Sequence, residues 1–173
     1  MGELTLRRAE PADAAGLAPL GTESFVFKFG EMYSPADLAS FLAEYRSEAA
    51  YAATLADPAW ATQIAERDGA LLGYCTIGSV CGWPDHARGR RAFELRQLYL
   101  ASDATGGGIG GALMDWALAE ARAQGADEVQ LSVFSGNDGA QRFYVRHGFE
   151  KVADTTFKVG EQVDHEYLFA RMV

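Results

Sequence analysis

The sequence predicts an α/β (α+β) fold in which one mixed central sheet of about seven strands is flanked by helices on both faces, with residues 1–173 forming a single domain. Three observations carry this expectation. A chain of 173 residues suffices for one full hydrophobic core and is short for two. Seven short stretches read as strands, and between them lie stretches whose apolar residues recur at helical spacing. Their order, an antiparallel run followed by strand, helix, strand, helix and strand, is that of a mixed sheet with helices on both sides.

The opening LTLRRA alternates like a strand, and Pro11 begins a helical region reaching about Phe29. In SPADLASFLAEY, Ser34 is the natural N-cap and Pro35 the first helical residue, with Leu38, Phe41 and Leu42 on one face. An alanine-rich helix follows and ends before Asp57-Pro58, because a residue preceding proline avoids the helical region. The stretches WATQIAER and LLGYCTIGSV form a hairpin about Asp68-Gly69, CGWPDHARGRR is a loop, and AFELRQLYLA is the next strand. From Gly108 to about Gln124, Ile109, Leu113, Trp116 and Ala117 repeat at helical spacing, and Gly125 stops the helix. EVQLSVF is a strand, DGAQRFYVRHG a short helix ending at Gly148, and FEKVAD and HEYLFARM complete the sheet.

Composition narrows the function before any motif is read. A hydrophobic content of 49% with 23% charged residues is that of a soluble globular protein. No apolar run approaches the ~20 residues that span a bilayer, and MGELTLRRAE lacks the apolar core of a secretion signal. No membrane partner and a cytoplasmic location are therefore expected. The net charge of −9 argues against nucleic acid, whose binding relies on lysine and arginine. It suits a cationic partner, or simply solubility. Cys75 and Cys81 lie roughly 20 Å apart along one strand, too far for a disulfide within it. With the histidines scattered at His86, His147 and His165, no metal site is expected.

The stretch ATGGGIGGALM, Ala104 to Met114, follows the strand LRQLYLA and opens a helix. Backbone amides and the positive helix end there converge on an anion, and glycine lets the main chain approach a phosphate with no side chain between. Gly106, Gly108 and Gly111 also spell the G-x-G-x-x-G of a dinucleotide turn. That fold wants its turn early in a long α/β unit, with an acidic residue at the end of the second strand, whereas EVQLSVF ends in Ser135 and Gly136. A nucleoside-triphosphate loop would need Lys-Ser/Thr after its last glycine, where Ala112 and Leu113 stand.

A second constellation, NDGAQRFYVRHGF, places Asn137 before a helix whose Ala140, Phe143, Tyr144 and His147 share one face. With the glycine turn and this segment in one order, the chain resembles the GCN5-related N-acetyltransferase (GNAT) superfamily. Its glycine turn wraps the coenzyme A pyrophosphate, and its N-x-x-A-x-x-F-Y-x-x-x-G-F segment borders the acetyl thioester. The segments ESFVFKFGEMYSPADLASFL and FYVRHGFEKVADTTFKVGEQVDHEYLFARMV look like those of bacterial spermidine/spermine N-acetyltransferases of the PaiA type. The position opening the superfamily's R/Q-x-x-G-x-G/A signature is Thr105, so the usual long polar side chain is replaced by a hydroxyl.

The resemblance implies acetyl-CoA as co-substrate without a metal, held by Thr105, Gly106, Gly107, Gly108, Ile109, Gly110 and Gly111 around the pyrophosphate. Main-chain groups at Leu98, Tyr99 and Leu100 would pair with the pantetheine arm as an added strand, and Asn137 would hydrogen-bond it. A free amine of pKa near 10.4 is only ~0.04% neutral at pH 7, a penalty of roughly 4 to 5 kcal/mol. A base is needed, and Glu94 matches the position where many superfamily members carry a glutamate; otherwise it is a solvated or paired strand carboxylate. Tyr144 matches the general acid that protonates the departing thiolate while also contacting the cofactor; otherwise it packs or binds sulfur. Cys75 and Cys81 lie outside both motifs, so direct transfer is expected; His147 and His165 either cap or pack, or titrate near the acceptor.

The expected acceptor is a small-molecule amine, with a polyamine in first place because residues 1–58 carry nine Asp/Glu against four Lys/Arg. The arginines of HARGRR would instead greet a carboxylate or face water. A protein N-terminus or lysine is the alternative acceptor, and a non-catalytic acyl-CoA sensor or a purely structural domain the alternative class. The resemblance also admits a homodimer, for which the chain marks no interface.

Overall fold

The structure, a computed structural model, describes residues 2–173. Strand β1 (Thr5–Arg8) leads through a single 3₁₀ turn (Pro11–Asp13) into helix α1 (Ala14–Phe29), so the helical region begun by Pro11 changes type after one turn. Helices α2 (Pro35–Tyr45) and α3 (Glu48–Ala56) follow, each opened by a serine. Ser34 Oγ accepts from the Asp37 amide at 3.1 Å, and Ser47 Oγ from the Ala50 amide at 3.1 Å. Asp57, extended before Pro58, ends α3 as expected.

Strands β2 (Trp60–Arg67), β3 (Ala70–Gly78) and β4 (Ala92–Leu100) form an antiparallel meander, succeeded by helix α4 (Ile109–Ala123), strand β5 (Glu128–Phe134) and helix α5 (Asp138–Arg146). Strands β6 (Glu150–Val159) and β7 (Gln162–Met172) form a long closing hairpin. Both run further than FEKVAD and HEYLFARM suggest, because TTFKVGEQVD is itself strand and turn, with Gly160 at φ +58° in the bend. The seven strands lie in the order β1-β2-β3-β4-β5-β7-β6, and β4 with β5 is the parallel pair.

Strand alternation sorts the core onto two faces. On one face Ala61, Ala65, Cys75, Ile77, Phe93, Val129, Leu131 and Phe169 pack with Leu113, Met114 and Ala117 of α4 and with Phe143 and Tyr144 of α5. On the other, Ile64 and Tyr74 pack with Leu17 and Leu20 of α1 and Tyr51 of α3. Beside them an aromatic cluster joins Phe25, Phe41 and Val159.

Two irregularities in β4 shape what lies between the faces. Thr76 pairs with Gln97 but Ile77 with Leu95, so Arg96 is an extra residue that reverses the alternation. Before it Phe93 and Leu95 face α4; after it Leu98 and Leu100 do. The second irregularity is a fork: β4 pairs with β5 at Ala92–Glu94 against Glu128–Gln130, after which Leu131–Phe134 pair with β7 and the rest of β4 pairs with β3. The closed end of the fork is tied by buried polar groups. Glu128, 0% exposed, accepts from Arg88 Nε at 3.1 Å, and the Gln130 amide donates to the Trp83 carbonyl at 3.1 Å.

Candidate active site

The open side of the fork leads into a cavity of about 620 Å³, walled by α1, α2, α3, β4, β5, α5, β6 and β7. Glu94, Leu98, Tyr99, Asn137 and Tyr144, five of the residues singled out from sequence, line this one cavity. Glu94, Gln97 and Tyr99 come from one face of β4, whereas Tyr144 belongs to the α5 layer packed on the opposite face. Tyr144 therefore reaches the cavity at the fork, where the two faces of the sheet communicate.

Leu100, Thr105 and Gly106 to Gly111 lie outside the cavity lining. Leu100 ends β4, and the others form the turn beyond it and the first turn of α4. Gly106 and Gly108 take φ of +81° and +80°, a conformation other residues adopt only with strain, and nothing stands within 4 Å of where their Cβ atoms would be. The turn thus leaves open space beside the first amides of α4, which have no intrahelical partner. Gly110 and Gly111 are helical, and the Ile109 side chain is 3% exposed in the core, leaving only its main chain to face a ligand. Thr105 is exposed. The Leu100 carbonyl already accepts from Ser24 Oγ at 3.0 Å. Asn137 caps α5, its side-chain oxygen accepting from the Ala140 amide at 3.2 Å, so its amide group is the part left for another partner.

Three ionisable side chains, Glu94, Tyr144 and Glu166, line the cavity. Burial pushes the Glu94 carboxyl above its usual range, partly offset by the Arg96 guanidinium 4.0 Å away. Burial raises Tyr144 well above the ordinary phenol, and neighbouring Tyr99, Cys75 and Glu166 add to the effect. Among the described residues no hydrogen bond engages the Tyr144 hydroxyl, while its ring is held against Phe149 and Phe169. Glu166, 7% exposed, is pushed up to about 7, chiefly by burial, against a hydrogen bond from the Ser132 hydroxyl.

Sequence reasoning missed Glu166, which sits in HEYLFARM as one polar residue of an alternating strand. It missed Arg46 too, which closes α2 in FLAEYR and is 6% exposed. The alternation on β7 was a signal for which face Glu166 takes; nothing local marks Arg46 as buried. The nine carboxylates of residues 1–58 lie away from the cavity lining, to which that segment instead contributes Lys28 and Arg46. The arginines of HARGRR are otherwise engaged. Arg88 pairs with Glu128 and Glu150, the Arg90 and Arg91 amides donate to Asp127, and the Arg91 guanidinium lies over Phe93.

Cys75 is fully buried, its thiol raised by burial, and Cys81 Sγ donates to Gln130 at 3.5 Å; neither lines the cavity. His147 packs on Phe143 with ring centres 4.5 Å apart, and His165 bonds Asp154 at 2.8 Å. Among the described residues no group of three or more His, Cys, Asp or Glu is placed to hold a metal ion, and no helix is long and apolar enough to cross a membrane.

Comparison with known proteins gives concordant results. The acetyltransferase (GNAT) family profile matches residues 25–149. An uncharacterized N-acetyltransferase of Mycobacterium tuberculosis (strain ATCC 25618 / H37Rv) is 34% identical over 160 residues, 92% of this chain and 97% of that protein. The PaiA N-acetyltransferase from Thermoplasma acidophilum, solved with coenzyme A, shares the fold with a TM-score of 0.81 at 20% identity over 99% of each chain. The structure of yncA from Salmonella typhimurium with its cofactor acetyl-CoA gives a TM-score of 0.67 at 20% identity, covering 98% of this chain and 94% of that one.

Proposed function

Because the chain belongs to the acetyltransferase (GNAT) family, we propose that it moves the acetyl group of acetyl-CoA directly onto the nitrogen of a small primary amine seated in the cavity beside the β4/β5 fork. The observation that carries this reading is the meeting of Tyr144, Glu94 and Glu166 at one cavity, with the thiols Cys75 and Cys81 outside it.

The residues present fit acetyl-CoA. The positive-φ turn at Gly106 and Gly108 leaves open the space that Cβ atoms would fill. Beyond Glu94 the β4 edge that faces the fork has no strand beside it, and main-chain groups at Leu98 and Tyr99 would hold an extended amide-bearing arm there as a further strand would be held. Leu100 contributes less, since Ser24 occupies its carbonyl. The Gly106–Gly111 main chain would hold the pyrophosphate, with the Thr105 hydroxyl nearby, and the Asn137 amide would donate to the arm. Acetyl-CoA supplies an acyl group made reactive by its thioester.

A carboxylate in the cavity removes the ammonium proton of the acceptor. Glu166, raised to about 7, is ionised in a substantial fraction at neutral pH and holds its proton well once taken; Glu94 would be the second group for this step. Burial keeps Tyr144 protonated across the physiological range. Since its phenol is a weaker acid than a thiol, its larger effect is a hydrogen bond to the departing sulfur, strongest as charge develops there.

The polyamine acceptor implied by the terminal segments draws on Glu94 and Glu166 for its cationic groups. The other small amines draw on the same carboxylates without needing a long anionic groove. Release of coenzyme A, measured with spermidine, diamines, amino acids and a lysine peptide and paired with mass detection of the acetylated amine, tests the proposal. Stoichiometric acetylated amine supports it. Tight acetyl-CoA binding with no amine acetylated would leave a sensor instead.

A further inference from the structure

We propose that Arg46 is the anchor for an anionic group on the acceptor, so that the substrate class is amines bearing a carboxylate, phosphonate or phosphate; this rests on the acetyl-transfer reading above. Arg46 is 6% exposed and lines the cavity. Among the described residues no carboxylate lies within 4 Å of its guanidinium. Its hydrogen-bonding partners are neutral: Nη2 donates to the Tyr99 hydroxyl at 3.1 Å and Nη1 to the Tyr45 carbonyl at 3.1 Å. The buried Nε has no partner. The rings of Phe41, Tyr99 and Phe25 surround it, with centroids 5.1, 5.4 and 5.7 Å from its Cζ.

A buried guanidinium is ordinarily paired with an acid, because five N–H groups and a full charge are poorly satisfied by neutral partners and ring faces. Here the counter-charge is missing on the wall of the cavity that receives the acceptor. Planar donors of arginine match carboxylate and phosphonate oxygens two at a time. The rest of the lining agrees: Lys28, Arg96 and Lys158 are cationic residues around the same cavity, against Glu94 and Glu166, which the amine itself requires. A polyamine would bring further positive charge to Arg46 and leave its buried charge uncompensated.

The test uses matched acceptors that differ in one group: 4-aminobutyrate against 4-aminobutanol, 3-aminopropylphosphonate against 3-aminopropanol, and an amino acid against its amide, with spermidine as the polyamine. Coenzyme A release is followed with the native protein, Arg46→Gln and Arg46→Lys, after confirming that each variant retains its melting transition and binds coenzyme A. For the native protein, at least one anionic amine should exceed its neutral partner and spermidine tenfold or more in kcat/KM. Arg46→Gln should erase that preference by raising KM for the anionic amine far more than for its neutral partner, so that the ratio between the two falls tenfold or more, and Arg46→Lys should restore part of it. Equal preference in native protein and Arg46→Gln, or spermidine as the best acceptor of both, overturns the proposal. Should Arg46→Gln not fold, the native preference together with Arg46→Lys decides.

Calorimetric titration of the same amines into the protein loaded with coenzyme A separates the two readings. Arg46-dependent binding of the anionic amine without turnover supports the anchor and removes the transferase. Turnover without anion preference removes the anchor and keeps the transferase.

Discussion

Glu94 and Tyr99 face the same cavity from β4 although five positions, an odd number, separate them. In a regular strand they would point to opposite faces. The extra residue Arg96, opposite the Thr76–Ile77 step, restores the match and leaves Leu95 and Leu98 in the α4 core. Deleting Arg96 should turn one side of that strand over. The expected result is loss of acetyl transfer and a melting temperature lower by at least about 5 °C, since polar groups would enter the core. Thermal unfolding and a single-point assay check it.

Glu166 sets the expected pH dependence. Its carboxyl is raised to about 7 in the folded protein from 4.5, so kcat/KM should rise with pH through about 7, and Glu166→Gln should lose that limb together with roughly 10²-fold in rate. The linked effect on stability has the opposite sign. A raised carboxyl favours the folded state fully below its unfolded value, and that contribution is lost as pH rises through about 7. Between pH 5 and 8 the native protein should therefore lose stability that Glu166→Gln keeps. A melting curve at each pH, with parallel rates, reports both.

Tyr144→Phe preserves the ring packing on Phe149 and Phe169 and removes only the hydroxyl. A fall of about 10²-fold in kcat, with little change in acetyl-CoA binding, is expected from loss of a hydrogen bond formed chiefly in the transition state. Unchanged kcat would reduce the residue to a packing role.

At Gly108, φ is +80° with open space around the absent Cβ. Gly108→Ala costs about 1 kcal/mol of backbone strain, and the turn escapes it by changing shape. Affinity for coenzyme A, measured by calorimetry, should fall about fivefold or more. Gly107→Ala, at ordinary φ and in open space, should fall less, which separates conformation from crowding.

Much of this was legible in the sequence, for reasons that differ from residue to residue. The strand periods gave the sheet, and the serine and asparagine caps marked helix starts, because those signals are local. Gly106 and Gly108 were legible because few other residues suit such a turn. Arg46 was not: its burial depends on Phe25, Phe41 and Tyr99, which come from three other points in the chain. The acidic balance of the N-terminal third does not carry over to the cavity wall for the same reason, since net charge counts residues and the cavity lining takes Lys28 and Arg46 from that segment. Glu94 was placed by resemblance, and the bulge that turns it into the cavity left no mark in AFELRQLYLA.

The central claim is acetyl transfer to an amine held beside the fork. The most direct measurement incubates the purified protein with [14C]acetyl-CoA and the amine panel and counts label in the amine and in the protein. Label should pass to the amine one-for-one with coenzyme A released, with none retained on the protein. Label that stays in acetyl-CoA with every amine, or accumulates on the protein itself, would contradict direct transfer.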